Sequence, residues 1–278
     1  MRVRKTLKSK GIENGEFEAR LIVAHCAGKT REQILAMSKV FATDPEVKDR
    51  IEKSVERRIS GEPLAYVLGE WDFYGVPIKV NKHVLIPRID TEVLAKEAIN
   101  LLTRKLWQTR VLDLCTGSGC IGLAIAANVP GCRIVMIDSS EQALAVCRTN
   151  MLNTNLSKHI TAMDMDILKK PPAILGQFDL IVSNPPYIPT GDIDTLDASV
   201  KDYEPRIALD GGEDGLDYYH VIVENWRKLL KPGGHIALEC GEGQAAAVRY
   251  IMKQNKFADI RTFKDTLGIE RVLTGMTY

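Results

Sequence analysis

From residue 110 onward, short apolar runs alternate with helical stretches, and this alternation constrains the fold more than any other feature of the chain. Val111–Leu114, Arg133–Ile137 and Phe178–Ser183 are strand-length runs with apolar residues on both faces, the pattern of strands covered on both sides. Helical segments lie between and after them, over Ile121–Ala127, Glu141–Asn153 and Val221–Leu230. The last stops at Pro232-Gly233-Gly234, before a strand over His235–Glu239. Such a sequence predicts an α/β doubly wound sheet, mostly parallel. Ligands of these sheets bind outside the carboxyl ends of the strands.

The first part of the chain reads differently. Residues 13–60 carry helical spacing, with Phe17, Leu21, Ile22 and Ala24 in one helix that Gly28 ends. Arg31–Met37 predicts a short helix, and Asp44-Pro45-Glu46 an N-cap followed by proline at the first helical position. That last helix runs through Val47, Ile51 and Val55 to Gly61. Pro63, Gly69, Gly75, Pro77 and Pro87 then punctuate β-type runs at Val76–Val80 and Val84–Ile86. Helical text resumes at Thr91 through Leu94, Ala98 and Leu101. The expected division is a small helical bundle over 1–75 that recognises a partner, a hairpin linker over 76–90, and the α/β domain over 91–278.

Charge narrows the partners. The 278 residues carry 37 basic and 36 acidic side chains, so no basic face for gripping nucleic acid is indicated. Residues 1–60 carry 14 basic and 9 acidic side chains, a balance of +5; the remaining 23 and 27 give −4. The five basic residues within 1–10 read as a solvated terminus. No apolar segment follows them, so no signal peptide is expected, and no apolar run is long enough to span a membrane. The six cysteines form no C-x-x-C pair. Neither a metal site nor a disulfide framework is expected, and the compartment reads as reducing cytosol.

Three segments carry chemistry. Asp113-Leu114-Cys115-Thr116-Gly117-Ser118-Gly119-Cys120-Ile121-Gly122 follows a strand and opens a helix, with glycines that let backbone turn tightly and approach a ligand. It lacks the Gly-Lys-Ser/Thr of a phosphate loop, while Gly117, Gly119 and Gly122 keep dinucleotide spacing open. Asp138 ends the second strand, 19 residues beyond Gly119, where an acid accepts ribose hydroxyls. Loop and acid together favour an adenosine-type cofactor without separating NAD from S-adenosylmethionine. Asn184-Pro185-Pro186-Tyr187 follows the strand Phe178–Ser183 and decides between them. Two prolines fix the backbone and remove two N–H donors. The carbonyls of Asn184 and Pro185 are left as acceptors and Tyr187 adds an aromatic face, a setting for a planar NH₂ group.

In this order, D-L-C-T-G-S-G, Asp138 and N-P-P-Y resemble the S-adenosylmethionine-dependent amino-methyltransferases. More closely, the chain resembles the release-factor glutamine N5-methyltransferases, the PrmC/HemK family. The resemblance extends to Pro63-Leu64-Ala65-Tyr66-Val67-Leu68-Gly69, Ile86-Pro87-Arg88-Ile89-Asp90-Thr91-Glu92, Tyr203-Glu204-Pro205, Ala208–Gly215 and Glu270-Arg271-Val272. It implies a Rossmann-like seven-strand methyltransferase domain behind an N-terminal helical domain; the chain is expected to act as a cytoplasmic monomer without metal. It implies a substrate as well, the glutamine of the Gly-Gly-Gln motif in bacterial peptide chain release factors. By the same resemblance Cys115, Thr116, Gly117, Ser118 and Gly119 lie against the methionine part of the cofactor, and Asp138 binds its ribose. Asp166, with Asp164 in competition, stands beside adenine. Asn184 holds the glutamine amide within the catalytic motif of Pro185, Pro186 and Tyr187.

The chain departs from the family pattern at two positions. Cys115 replaces a loop glycine, which predicts a negative φ there, and Ile89 replaces a proline. Some of Arg88, Asp90, Glu92, Glu204 and Arg206 are expected near the site mouth, against the alternative that they form salt bridges. Tyr66 and Phe73 read as packing, and His25, His83, His159, His220 and His235 match no catalytic pattern. The rival function is a DNA or RNA adenine-N6 methyltransferase, whose target is also a planar NH₂. The −4 balance over 61–278 argues against it, as does the lack of an aromatic-basic stripe for a flipped base. A noncatalytic nucleotide-binding module or an NAD enzyme is the remaining alternative, and no hydride-transfer constellation supports it.

Overall fold

A computed structural model describes residues 3–36, 44–103 and 108–278. Met1, Arg2 and Met37 lie outside them, so the ends of the predicted basic terminus and of the Arg31–Met37 helix are not described. The chain divides into two compact units, one running to Glu70 and taking in Asp197–Tyr203, the other comprising Trp71–Leu196 and Glu204–Tyr278. The hairpin segment 71–90 therefore groups with the larger unit rather than standing as a linker.

The smaller unit contains α1 (Val3–Ser9), α2 (Gly15–Cys26), α3 (Arg31–Ala36), α4 (Pro45–Ile59) and α5 (Leu64–Leu68). Its core joins Val3, Leu7, Ala19, Ile22, Cys26, Ile51 and Val55. Val3–Ser9 is thus a packed helix rather than a frayed tail, because Val3 and Leu7 recur at helical spacing on its inner face, while Arg4, Lys5 and Lys8 stay solvated on the other. The buried stripe of α2 is Gly15, Glu18, Ala19, Ile22 and Cys26, while Phe17 is 42% exposed. Gly15 sets this face: a β-carbon there would stand 3.1 Å from the Lys8 backbone nitrogen, so α1 packs directly onto it. Buried Glu18 accepts from Arg58 Nε at 2.7 Å, tying α2 to α4. Asp44 caps α4 as its sequence predicts, accepting from the Glu46 N–H at 2.9 Å, with Pro45 at the first turn.

The larger unit opens with the hairpin β1 (Glu70–Phe73) and β2 (Val76–Lys79). Its turn places both Tyr74 and Gly75 at positive φ, the mirror-image geometry that suits the twist of a hairpin. Then follow α6 (Thr91–Thr103), β3 (Arg110–Leu114), α7 (Cys120–Asn128), β4 (Arg133–Asp138), α8 (Glu141–Asn153), β5 (Ile160–Asp164), β6 (Phe178–Ser183), α9 (Ala198–Lys201), α10 (Asp217–Glu224), β7 (Leu230–Glu239), α11 (Ala245–Gln254), β8 (Ala258–Lys264) and β9 (Glu270–Met276). Of these, α9 lies in the stretch that groups with the smaller unit. The sheet has seven strands in the order β5-β4-β3-β6-β7-β9-β8. The strands from β5 to β7 run parallel, and β9 is antiparallel to both β7 and β8.

Two strand expectations change. Val84 and Ile86 are buried but join no sheet, because the Ile86 N–H bonds to Glu204 and the Val84 N–H to Asn81. β7 begins at Leu230 rather than His235, and α10 ends at Glu224. Leu230 pairs with Phe178 and His235 with Leu180, so Pro232-Gly233-Gly234 forms a bulge inside the strand, a position where proline's missing donor costs little. Helix α7 is apolar all round and buried from Cys120 to Ile125, as befits a helix in the core.

Candidate active site

Strand register assembles the site. Leu114 at the end of β3 pairs with Ile137 of β4 on one side and Ser183 of β6 on the other. Cys115, Asp138 and Asn184 therefore leave the carboxyl edge of the sheet side by side, although 69 positions separate the first from the last. Chain order in a doubly wound sheet does the same work wherever strand order reverses.

The loop after β3 is closed by its own side chains. Ser183 Oγ donates to the Leu114 carbonyl at 2.7 Å, and the Thr116 N–H donates to the Ile137 carbonyl at 3.0 Å. The residue between these two anchors has to turn through the left-handed region, and Cys115 sits at φ 56°. The expected negative φ is thus wrong, since the loop holds its glycine-type backbone without the glycine. Asp113 is fully buried and accepts from Thr116 Oγ1 at 2.6 Å and the Gly122 N–H at 3.1 Å. Burial pushes its carboxyl up to about 7 against those two bonds. A β-carbon on Gly122 would stand 2.3 Å from Met136 Cε, so α7 and β4 pack through this glycine. Asp138 Oδ2 accepts from the Gly117 N–H at 2.8 Å, and Oδ1 from the Ser140 N–H at 2.9 Å. Burial lifts this carboxyl too, and the amides of Ser140, Gly117 and Ser139 hold it down.

These elements wall a cavity that is partly open to solvent, at the strand ends where small-molecule sites of such sheets lie. Cys115, Thr116, Gly117, Ser118, Asp138, Asp166, Asn184 and Pro186 line it. Gly119, Pro185 and Tyr187 do not. Gly119 is the left-handed cap of α7 beneath the loop. Pro185 is buried off the wall. Tyr187 packs against the main core, with its carbonyl accepting from Gln244 Nε2 at 2.9 Å. Of the two candidate acids, Asp166 lies just beyond β5 and is at the wall, while Asp164 ends β5 and is exposed.

A family model described as Methyltransferase small domain matches residues 91–199, and one described as PrmC N-terminal domain matches residues 1–69. A release factor glutamine methyltransferase from Geobacter sulfurreducens is 39% identical over 269 residues, 97% of this chain and 92% of that protein. The chain belongs to the release factor glutamine methyltransferases. A second relative of that name, from Thermodesulfovibrio yellowstonii, is 40% identical over 265 residues, covering 92% of this chain and 90% of its own. Likeness of fold alone extends to a methyltransferase from Pyrococcus furiosus, at a TM-score of 0.52 and 17% identity over 85% of this chain and 98% of that one. The seven-strand sheet is that of the S-adenosylmethionine-dependent methyltransferases.

In this enzyme only Arg88, among the five charged residues expected near the mouth, lines the cavity. It is held by Glu204 at 2.5 Å, whose other oxygen accepts the Ile86 N–H. Glu92 instead accepts from the Tyr74 N–H, and Arg206 pairs with Asp210. Asp90 lies 3.9 Å from Arg271. Tyr66 and Phe73 are buried packing residues, as read from the sequence. His83, Thr91 and Tyr218 line the cavity and were not singled out as site residues; no local pattern marks them. Asn150 was also missed, although its signal was legible. It is a polar residue on the apolar face of Ala143, Leu144, Cys147 and Met151 in α8, and it is fully buried.

Proposed function

We propose that the protein transfers the methyl group of S-adenosylmethionine to the side-chain amide nitrogen of the glutamine in the Gly-Gly-Gln motif of peptide chain release factors, as a monomer in the cytoplasm. The placement of Asn184 in one cavity with Asp138 and the Cys115–Ser118 loop carries this reading.

The cavity chemistry fits the cofactor. Asp138 would hold the ribose hydroxyls and Asp166 the adenine side, with the loop along the methionine part. Two acids face a ligand that carries positive charge, and Arg88 is already held by Glu204. A dinucleotide fits less well, because its pyrophosphate would meet those acids and the Gly117 N–H is already given to Asp138. When bound, S-adenosylmethionine supplies a methyl group activated by its positive sulfur.

The protein's task is the nucleophile, since an amide nitrogen shares its lone pair with the carbonyl. The Asn184 side-chain oxygen would accept an N–H of the glutamine, orienting the amide and raising the electron density on nitrogen. Pro186 walls the same space. Pro185, expected as a second acceptor, stands off the wall, so the reading rests on Asn184. Orientation of bound reactants is worth up to roughly 7–11 kcal/mol, and one dipole facing developing charge about 3–4 kcal/mol.

The test is transfer of labelled methyl groups to a purified bacterial release factor and to duplex DNA in parallel. Label should enter the factor and vanish when the motif glutamine becomes alanine. Label on DNA alone overturns the substrate in favour of adenine. Asn184→Ala should lower turnover about 10²–10³-fold and leave cofactor affinity little changed; the opposite pattern removes Asn184 from its role.

A further inference from the structure

Glu239 is a buried carboxylate to which no role has been given. It ends β7, and because Ser183 pairs with Leu238 it stands beside Asn184 at the sheet edge. Glu239 and Thr91 are each only 2% exposed. Asn184 Nδ2 donates to Thr91 Oγ1 at 3.3 Å. The Thr91 hydroxyl and the Asn184 amide lie near enough to the Glu239 carboxyl to hold its pKa down, and its Oε2 has no hydrogen-bond partner among the described residues. An ionised carboxylate only accepts. With Glu239 ionised, the arrangement that satisfies it points the Thr91 proton at the carboxyl, leaves the Thr91 lone pairs to the Asn184 NH₂ and turns that NH₂ inward. The Asn184 carbonyl oxygen is left facing the cavity.

We propose that Glu239 and Thr91 are positioning residues that fix the orientation of the Asn184 amide and so make the site select a substrate that presents an NH₂ group. The inference rests on the reading of Asn184 as acceptor for the glutamine amide. Turned the other way, Asn184 would set its own NH₂ against that of the substrate.

Protonation of Glu239 supplies a way to reverse the chain of bonds. Burial lifts the carboxyl to about 7, while the Thr91 bond, Arg271 and Asn184 pull it down and Asp90 pushes it up. Tyr187, Tyr219, Cys120 and Cys240 also face it. Burial raises all four, so they stay neutral near pH 7. Arg271 is held by Asp265 at 2.9 Å and stays charged throughout. A protonated Glu239 donates a hydrogen bond. It then releases the Thr91 hydroxyl to donate to Asn184 Oδ1, which turns the amide over.

The experiment measures kcat from pH 6 to 9 on the full chain, with saturating S-adenosylmethionine and intact release factor. Wild type, Glu239→Gln, Thr91→Val, Thr91→Ser and Asn184→Ala are compared. Glu239→Gln should lower kcat at pH 8 by about 10–100-fold, with cofactor affinity within about twofold and the acid limb near pH 7 abolished. Thr91→Val should follow it, and Thr91→Ser should keep the wild-type rate and profile. A wild-type rate with an unchanged acid limb in Glu239→Gln overturns the proposal. So does loss of cofactor binding in parallel with rate, which marks a merely structural role. Should Glu239→Gln fail to fold, the threonine pair decides: equal rates in Thr91→Val and Thr91→Ser reject the device. Asn184→Ala separates the two levels. If it is inactive while the Glu239 and Thr91 variants are normal, only this inference fails; if it is fully active, the underlying reading fails.

Discussion

Cys115 occupies φ 56°, where a β-carbon costs roughly 1–2 kcal/mol relative to glycine. Its neighbours over-determine the turn, which is how such strain persists at functional sites. A branched side chain would deepen the strain. Cys115→Val should therefore be less stable than Cys115→Gly by about 2 kcal/mol, read from urea midpoints at constant slope; equal midpoints would mean that the loop carries no strain. Gly211 makes the complementary case, where space rather than φ is limiting. A β-carbon there would stand 2.7 Å from Tyr187 Cα and 2.9 Å from the Pro186 carbonyl, both backbone atoms of the N-P-P-Y segment that cannot swing aside. Gly211→Ala should displace that segment and reduce turnover about 10²-fold, in line with what a misplacement of 1 Å costs, while S-adenosylmethionine still binds. Unchanged turnover would show that the segment has room to move.

At the scale of elements, one side chain couples two of them. Asn150 in α8 accepts from the Lys79 N–H at 2.7 Å, and its Nδ2 donates to the carbonyls of Lys79 and Ser118. It ties the end of β2 to the loop after β3. Asn150→Ala strands buried backbone groups at about 1–3 kcal/mol each. It should lower stability by about 3 kcal/mol and weaken S-adenosylmethionine binding through Ser118, measured by denaturation and by calorimetric titration. A stability loss with unchanged cofactor affinity would confine Asn150 to holding the hairpin. Elements were legible in the sequence where burial is two-sided. The strands β3, β4 and β6 and the helix α8 fall within a residue of their expected bounds, because continuous apolar runs admit few other readings. Three strands gave no such signal. β5 and β8 are half exposed, with only one buried residue between them, and β9, which pairs with β8, is interrupted by Thr274 and Gly275. In the site, the loop, Asp138 and Asn184 could be read because glycine, acid and proline act locally. Thr91, Tyr218 and Glu239 could not, since each reaches the site only through the register of strands or the packing of a distant helix.

Across the whole molecule, carboxyls raised by burial set how stability responds to pH, Asp113 and Glu239 foremost. Asp113 and Glu239 each rest at about 7 in the folded chain, raised foremost by burial, against about 4 when unfolded. Between those values the folded state holds protons that the unfolded state has lost. Each group therefore removes up to ~1.4 kcal/mol of stability per pH unit as pH rises through that window. Asp210, held down by the Thr190 hydroxyl, and Asp265, where the Ile269 amide and Arg271 outweigh burial, act with the opposite sign. Their contribution is present above the usual carboxylate range and disappears only in acid. Stability should thus be greatest near pH 4 and fall toward pH 8, with the same denaturant slope throughout. Asp113→Asn keeps an oxygen to accept from Thr116 and Gly122 and cannot ionise. It should flatten part of the decline between pH 5 and 7, the rest belonging to Glu239 and to Asp138 and Glu204, which burial also lifts. A wild-type stability that rises from pH 5 to 8, or a decline unaffected by Asp113→Asn, would place the protons elsewhere. The predicted decline opposes the catalytic trend expected from Glu239: ionisation of that carboxyl costs the fold stability while it sets Asn184 to receive the substrate. Activity and stability should therefore move in opposite directions across the same pH interval, and Glu239→Gln should abolish the catalytic movement while only flattening the decline in stability, the Asp113 share of which remains.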